Sequence, residues 1–243
     1  YNEHLDRIID QKSRDRFIKE KVNDPSRNIL HPEMEAFLSD KLSESVSKQH
    51  AWRLIGNQIP MARIKMPDVR SIVKKEHPEF STKQKNKLEK AKQLGQWQLP
   101  LSLDTWNGYE AAREKFYQQC QSVKAHDLLV FTGDSHCFWA NQLFTQDGSK
   151  MGFEIGTTSV TSPGSFNYFG PYTRTFETLL SEQNEEVLWA NCEHRGYVKT
   201  RLTAQQAKVD YIAMTTINKR STESYVQKSM TIERSANGLT YSL

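Results

Sequence analysis

The chain has 243 residues, of which 37% are hydrophobic and 26% are charged, and its formal net charge is +4. This length suits one α/β domain with a sizeable core. No apolar stretch approaches the roughly 20 residues that cross a bilayer, so the sequence predicts no transmembrane segment. The net charge is too mild to imply a nucleic-acid partner, which is not expected, and it is compatible with anionic substrates.

The N-terminal quarter is predicted to be mostly helical and to lead into a first strand. Residues 1–28 are charged and helix-like, and Pro25 marks the turn near their end. The next helix follows Pro32 and is expected to cover a sheet with apolar residues that recur at helical spacing: Met34, Phe37, Leu38, Leu42 and Val46. Residues 51–59 then predict a strand with three core residues: Trp52, Leu54 and Ile55.

A polar, lysine-rich segment follows at about residues 64–99. Its lysines are interleaved with glutamates on both sides of Pro78: Lys74, Lys75, Lys83, Lys85, Lys87, Lys90 and Lys92, with Glu76, Glu79 and Glu89. One interpretation is a basic patch for a nucleic acid or another polyanion. The other is a solvated surface insertion with a short helix over residues 82–94, which the interrupting acids and the scarcity of aromatic residues favour.

Helices and strands follow one another from residue 108 to the end of the chain. A helix over 108–123 leads into a largely buried strand over 127–132, and its apolar stripe consists of Tyr109, Ala112, Phe116 and Cys120. The remaining predicted elements are strands over 138–144, 151–160, 186–192, 195–203, 208–217, 225–233 and 238–242, and a helix over 173–180. Turn signals at Asp147-Gly148 and Asn237-Gly238 join neighbouring strands as hairpins. This order predicts a mixed α/β fold.

The apolar run of residues 128–132 ends in Gly133-Asp134-Ser135-His136, which places a carboxylate and an imidazole two residues apart. Gly133 allows a sharp turn, and open α/β sheets carry their sites at the carboxyl ends of strands. Carboxylates and imidazoles are metal-ligand groups. The pair Asp134 and His136 therefore indicates a metal-binding site at this edge of the sheet. The alternative is a strand-to-loop turn in which Asp134 caps its own backbone and His136 hydrogen-bonds nearby.

The three cysteines, Cys120, Cys137 and Cys192, lack the C-x-x-C spacing of a zinc or redox site. Their number is odd, and their pattern gives no information about the cellular compartment. They are therefore predicted to be buried or idle thiols. Cys137 directly follows His136, so it is expected near the metal-binding edge.

Five motifs occur in an order and spacing that resemble one known family. They are residues 51–62, 103–109, 132–141, 152–162 and 191–197, with Arg113 after the second. Together they are similar to the PhoD-like alkaline phosphatases and phosphodiesterases, within the calcineurin-like metallophosphoesterase superfamily. The resemblance extends over about residues 27–217, and the joint occurrence of the motifs is more specific than any one of them.

The resemblance implies an α/β sandwich in which mixed sheets are flanked by helices. Residues 1–243 would form the C-terminal half of a single such domain, with residues 64–99 as an insertion. The chain opens at Tyr1, and residues 1–50 contain none of the family's first metal motifs. We therefore expect an exposed apolar sheet face or an open strand edge, covered either by the missing N-terminal half or by self-association.

The resemblance also implies metal-dependent hydrolysis of small phosphate monoesters or diesters. Asp134 and His136 match the family's G-D-x-H motif and would ligate metal ions such as Ca, Fe, Mn or Zn. Three further residues are candidates for contacts to the metal ligands or to the substrate: Asn141, His194 and Arg195. For each of them the alternative is a structural role. Arg195 would meet a phosphate as a bidentate donor, against the alternative of a surface arginine.

The number of ligands limits what this chain is expected to do alone. A two-metal hydrolase needs about six or more protein ligands, and the sequence offers two. The fragment is thus expected to hold no complete centre and to be inactive by itself. Two other functional classes stay open: a non-catalytic phosphatase-like scaffold or binding module, and a polyanion-binding module with steeply salt-dependent binding. The resemblance favours a periplasmic or secreted location, which no residue here shows.

Overall fold

The computed structural model describes residues 4–73, 80–235 and 238–243, in which five α-helices and nine strands form. The helices are α1 (Gln11–Phe17), α2 (Pro32–Ser47), α3 (Thr82–Gln96), α4 (Glu110–Ser122) and α5 (Thr173–Glu182). The strands are β1 (Arg53–Gly56), β2 (Leu128–Thr132), β3 (Phe138–Phe144), β4 (Lys150–Gly156), β5 (Val187–Asn191), β6 (Gly196–Leu202), β7 (Gln206–Met214), β8 (Ser224–Ser235) and β9 (Gly238–Ser242). Each predicted strand is present, and Asn237 of the last predicted turn lies outside the described residues. Among the described helices, none combines the length and apolar character that crossing a bilayer requires.

Five strands form the first sheet in the spatial order β1-β2-β4-β3-β5. β1, β2 and β4 are parallel, and β3 runs antiparallel to β4 and β5. The close pairing of β2 with β4 requires Gly152, because a Cβ atom there would lie 2.0 Å from the Leu128 carbonyl oxygen. The three parallel strands end at one edge of the sheet, which is where the candidate site lies.

The second sheet is an antiparallel meander of β6, β7, β8 and β9 that packs on one face of the first. The interface buries apolar side chains of both sheets: Leu129, Phe138, Ala140, Phe153 and Ile155 from the first, and Ala207, Val209, Tyr211, Met230, Ile232 and Leu239 from the second. Removal of this apolar surface from water stabilises the pair of sheets. The Tyr211 hydroxyl also donates to the Trp139 carbonyl across the interface, at 2.9 Å. The predicted α/β sandwich is confirmed, and both facing sheets lie within this chain.

Helices cover the opposite face of the first sheet, but α2 contributes less to this cover than predicted. Leu42 is buried and Leu38 and Val46 pack against the core, whereas Met34 and Phe37 are 48% and 54% exposed. α2 packs along α4, so only one side of its apolar stripe reaches the core. The prediction that all five residues cover a sheet is therefore wrong.

β1 is an edge strand, which explains a second departure from the prediction. Within the described residues it pairs with β2 alone. Leu54, predicted as core, is 50% exposed on this edge, while Trp52 and Ile55 are partly buried. Among the described residues, both faces of the first sheet are covered, so what this sheet leaves exposed at β1 is an open strand edge.

The lysine-rich segment is anchored in the core by its apolar residues. α3 begins after Ser81, whose hydroxyl accepts a hydrogen bond from the Gln84 amide at 3.3 Å and caps the helix. Apolar residues along the segment are buried: Ile64, Met66, Val69, Val73, Phe80, Leu88, Ala91, Leu94 and Leu99. The short helix of the surface-insertion interpretation is thus confirmed, and the buried apolar residues show that the segment is also anchored in the core. Part of the lysine-rich run lies outside the described residues: Lys74, Lys75, Glu76, Pro78 and Glu79.

Candidate active site

Loops after three parallel strands meet at the carboxyl edge of the first sheet, where the loop of residues 134–136 lies. The Asn57 amide after β1 donates to the Phe131 carbonyl at 2.9 Å, and the Thr157 amide after β4 donates to the Thr132 carbonyl at 2.8 Å. These bonds hold the loops after β1, β2 and β4 side by side. The predicted placement of the Asp-x-His pair at the strand ends is confirmed.

The backbone of this loop has an uncommon conformation. Asp134 and His136 have φ angles of 63° and 57°, in the left-handed region that residues other than glycine seldom occupy. Such conformations persist where surrounding contacts hold them, and they concentrate at functional sites. Here the Ser135 amide donates to the Gly133 carbonyl at 2.7 Å, and the Trp139 indole donates to the Ser135 hydroxyl at 2.8 Å. The two candidate ligands are therefore presented on a tightly held turn.

Asp134 is exposed and lines a cavity of about 300 Å³. The other lining residues are Pro60, Ala62, Ile64, Leu101, Ser102, Asp104, Thr105, Ser135, Trp139, Ser165 and Phe166. In the part of the chain that the structure describes, the Asp134 carboxylate has no hydrogen-bond or ion-pair partner. The alternative in which Asp134 caps its own backbone is therefore wrong. Its carboxylate is available to a cation at the cavity wall.

The His136 imidazole is oriented by a backbone carbonyl. Its Nδ1 lies 2.8 Å from the carbonyl oxygen of Pro163. Because a carbonyl oxygen only accepts hydrogen bonds, this contact places the proton on Nδ1 and leaves the lone pair on Nε2. Metal-binding histidines commonly have this arrangement, in which the nitrogen that does not bind the metal donates to a carbonyl or carboxylate. The nearby hydrogen bond that the strand-to-loop alternative predicts for His136 is thus present. The same bond also suits a metal ligand.

The Asp134 carboxylate and the His136 imidazole fit one part of the ligand set of a metal site. Among the described residues, no group of three or more His, Cys, Asp or Glu side chains lies close enough together to hold a metal ion. What the loop offers is an unpaired carboxylate on Asp134 and an oriented imidazole on His136. Carboxylate oxygen and imidazole nitrogen together suit Mn, Fe or Zn, and the carboxylate alone suits Ca.

Arg195 holds the His136 loop in place. It is only 4% exposed, and its guanidinium donates to the His136 carbonyl at 2.9 Å, the Thr158 hydroxyl at 2.9 Å and the Cys192 carbonyl at 3.1 Å. Gly164 packs directly against it, since a Cβ atom on Gly164 would lie 1.9 Å from Nη2. The alternative of a surface arginine is therefore wrong. Because its donors are engaged by protein acceptors, we assign Arg195 a positioning role.

Replacement of Arg195 by lysine is expected to lower the free energy of unfolding by about 2–3 kcal/mol, because one ammonium group cannot satisfy the several buried acceptors that the guanidinium holds. Urea unfolding followed by tryptophan fluorescence measures the loss. Arg174→Lys is the matched control, since the Arg174 side chain is 80% exposed and pairs with Glu193 at 3.2 Å. That control should change the free energy by less than about 0.5 kcal/mol. Equal losses in both variants would contradict the positioning role.

Asn141 lies on β3 in a buried polar group around Glu154. Its side-chain amide donates to the Glu154 carboxylate at 2.8 Å, and the same carboxylate accepts hydrogen bonds from the Met61 and Ala62 amides at 2.6 and 3.0 Å. Burial raises the pKa of Glu154, and these hydrogen bonds oppose that shift. Because Ala62 lines the cavity, Asn141 and Glu154 support one of its walls through the backbone.

His194 lies between β5 and β6 and is engaged within that connection. Its amide nitrogen and Nδ1 are 3.0 and 3.1 Å from the Asn191 side-chain oxygen, and its carbonyl accepts from the Thr158 hydroxyl at 3.1 Å. Partial burial lowers the pKa of His194 and favours its neutral form. The His194 carbonyl also accepts a hydrogen bond from Arg195, which links this connection to the His136 loop.

Sequence reasoning assigned no site role to several polar residues that the structure places at the cavity or in the core behind it. Asp104 belongs to the motif at 103–109 and lines the same cavity as Asp134. Glu154 stands within an otherwise largely apolar strand, where a carboxylate is rarely buried unless it has partners. Arg113 and Glu186 form a buried ion pair at 3.2 Å but are 73 residues apart, so no local pattern connects them.

Comparisons with known proteins agree with this architecture. The family model described as PhoD-like phosphatase matches residues 5–211. Alkaline phosphatase D of Bacillus subtilis (strain 168) is 28% identical over 219 residues, which are 88% of this chain and 32% of that protein. A solved structure of PhoD shares the fold, with a TM-score of 0.65 and 24% identity over 90% of this chain and 36% of the other. The chain thus spans about a third of the length of these relatives.

Proposed function

Because this chain belongs to the PhoD-like phosphatase family, we propose that it carries part of the metal site of a phosphoester hydrolase. Asp134 and His136 are the proposed ligands, and their presentation at the carboxyl edge of the sheet is the observation that carries the proposal. The Asp134 carboxylate would bind through oxygen and His136 through Nε2. Further ligands would come from outside the residues described here, since the chain spans about a third of the length of these relatives.

A bound metal ion would stabilise the negative charge of the phosphoryl group and lower the pKa of a coordinated water. The residues of this chain would position the ion and shape the cavity that receives the substrate. Asp134 and His136 would fix the position of the ion, and Arg195 would keep the His136 loop in its left-handed conformation. Apolar cavity residues such as Ile64, Leu101 and Phe166 would exclude water from the organic part of a small phosphate monoester or diester.

The test compares this chain with the longest natural product of its gene. Both are assayed on p-nitrophenyl phosphate and on bis(p-nitrophenyl) phosphate, with Ca, Fe, Mn and Zn added singly and after treatment with a chelator. We expect hydrolysis by the longer product that the chelator abolishes and a metal restores, and little or none by this chain alone. Absence of hydrolysis by the longer product with every metal would overturn the proposal and favour a non-catalytic module.

A further inference from the structure

We propose that Cys137 and Cys192 are a disulfide site that joins β3 to β5 beside the His136 loop. Cys137 directly precedes β3, and Cys192 directly follows β5. These strands are antiparallel, with Phe138 opposite Asn191 and Trp139 opposite Ala190. Continuing this register by one residue sets the two cysteines opposite each other.

The backbone positions suit a disulfide without rearrangement. Residues opposite each other in an antiparallel pair have Cα atoms about 4.5–5.5 Å apart, and disulfides span Cα separations of about 4.4–6.8 Å. Residues opposite each other on antiparallel strands direct their side chains to the same face of the sheet, so the register sets the Cys137 and Cys192 side chains next to each other. Both are fully buried. The pair was not visible in the sequence, because the two residues lie about 55 positions apart and lack a short cysteine motif.

The bond would form while the chain folds, because both thiols are out of reach of solvent afterwards. The oxidant is a low-molecular-weight disulfide such as oxidised glutathione. The two protein thiols give up two electrons and two protons and become one disulfide, and the oxidised glutathione takes them up and becomes two molecules of reduced glutathione. Thiol–disulfide exchange thus balances without any other reactant.

The cross-link would act on a part of the fold that already holds the candidate site in place. Cys137 is the neighbour of His136, and the Cys192 carbonyl accepts a hydrogen bond from Arg195, which also holds the His136 carbonyl. Closing a loop of about 55 residues reduces the freedom of the unfolded chain and so stabilises the folded one. This inference concerns the thiols alone and does not depend on the proposed hydrolase activity.

The test is to refold the denatured, reduced chain in a glutathione redox buffer and, separately, in dithiothreitol. Each sample is then unfolded in denaturant so that buried thiols become accessible, free thiols are alkylated, and the peptides are mapped by mass spectrometry without reduction. We expect a Cys137–Cys192 cross-linked peptide and an alkylated Cys120 in the oxidised sample only, and a Tm that is higher by about 5–10 °C than in the reduced sample.

Cys120, on α4, provides the matched control because it is buried but has no register partner among the cysteines. Cys120→Ser should retain the cross-link, and Cys137→Ser and Cys192→Ser should each lack it and lose the difference in Tm between the two buffers. Three alkylated cysteines in the wild-type chain after oxidative refolding would overturn the inference. So would a cross-link through Cys120. Both results come from the wild-type protein, so the test stands even if a variant fails to fold.

Discussion

Replacement of Asp134 or His136 by asparagine is expected to lower metal affinity, and with it phosphoester hydrolysis, by at least about 100-fold. Loss of a residue that merely orients a ligand already costs about 10–100-fold, so loss of the ligand itself should cost more. Asparagine suits the test because it tolerates the left-handed backbone that both positions adopt. Asp134→Asn removes the charge and keeps the shape, while His136→Asn removes the imidazole nitrogen. Steady-state hydrolysis by the longest natural product and Mn²⁺ titration followed by EPR are the measurements.

Two matched controls separate this effect from a general loss of carboxylate or imidazole. Asp40→Asn removes an exposed carboxylate from α2, and His31→Asn replaces an exposed helix-capping residue by another good cap. Both controls should keep the metal affinity and the rate of the wild type. Unchanged metal affinity and hydrolysis in Asp134→Asn and His136→Asn would refute the role of these two residues as ligands. That result would not change the assignment of the chain to the family.

Replacement of Arg113 by methionine is expected to lower the free energy of unfolding by about 3–5 kcal/mol, because it leaves buried carboxylates without their cation. Arg113 is fully buried, and its guanidinium donates to Glu186 at 3.2 Å and to the Met61 carbonyl at 3.0 Å. It also pairs with Glu110 at 3.4 Å. Methionine keeps the apolar volume of the side chain, so the loss reports mainly the charge. Denaturant unfolding at neutral pH measures it.

The pH dependence of this variant follows from Glu110. Burial raises the pKa of Glu110 and the neighbouring Arg113 opposes that shift, so without Arg113 the pKa of Glu110 should rise further. A carboxyl whose pKa is raised on folding contributes stability that is present below its unfolded pKa and is lost as the pH rises through its folded pKa. The deficit of Arg113→Met relative to the wild type should therefore be smaller at acidic pH than at pH 8.

Lys115 on the same helix provides the control for Arg113. Its side chain is 51% exposed and pairs with Glu35 at 2.6 Å, so Lys115→Met should cost no more than about 1 kcal/mol. The double variant Arg113→Met, Glu186→Gln should regain part of the stability, because it removes a charge that the single variant leaves unpaired. Similar losses in Lys115→Met and Arg113→Met would contradict this account of the buried ion pairs.

Local sequence patterns predicted the strands and most of the helices correctly. The apolar run of β2 and the turn signal at Asp147-Gly148 depend on neighbours in the chain, and both appear in the structure where they were expected. The placement of Asp134 and His136 followed in the same way, because a residue after a buried strand must lie at the edge of its sheet. Their role as ligands stays a prediction.

The sequence by itself thus determined the strands, the helices and the position of the Asp-x-His pair, since each depends on short-range periodicity and turn chemistry. The tertiary structure alone decided which charged residues are buried and what they hold. Arg195 contacts the carbonyl of a residue 59 positions away, and Phe37 stays exposed because α2 packs along α4. The physical reason is that burial of a charge or an apolar side chain depends on partners brought together by packing, which no local pattern specifies.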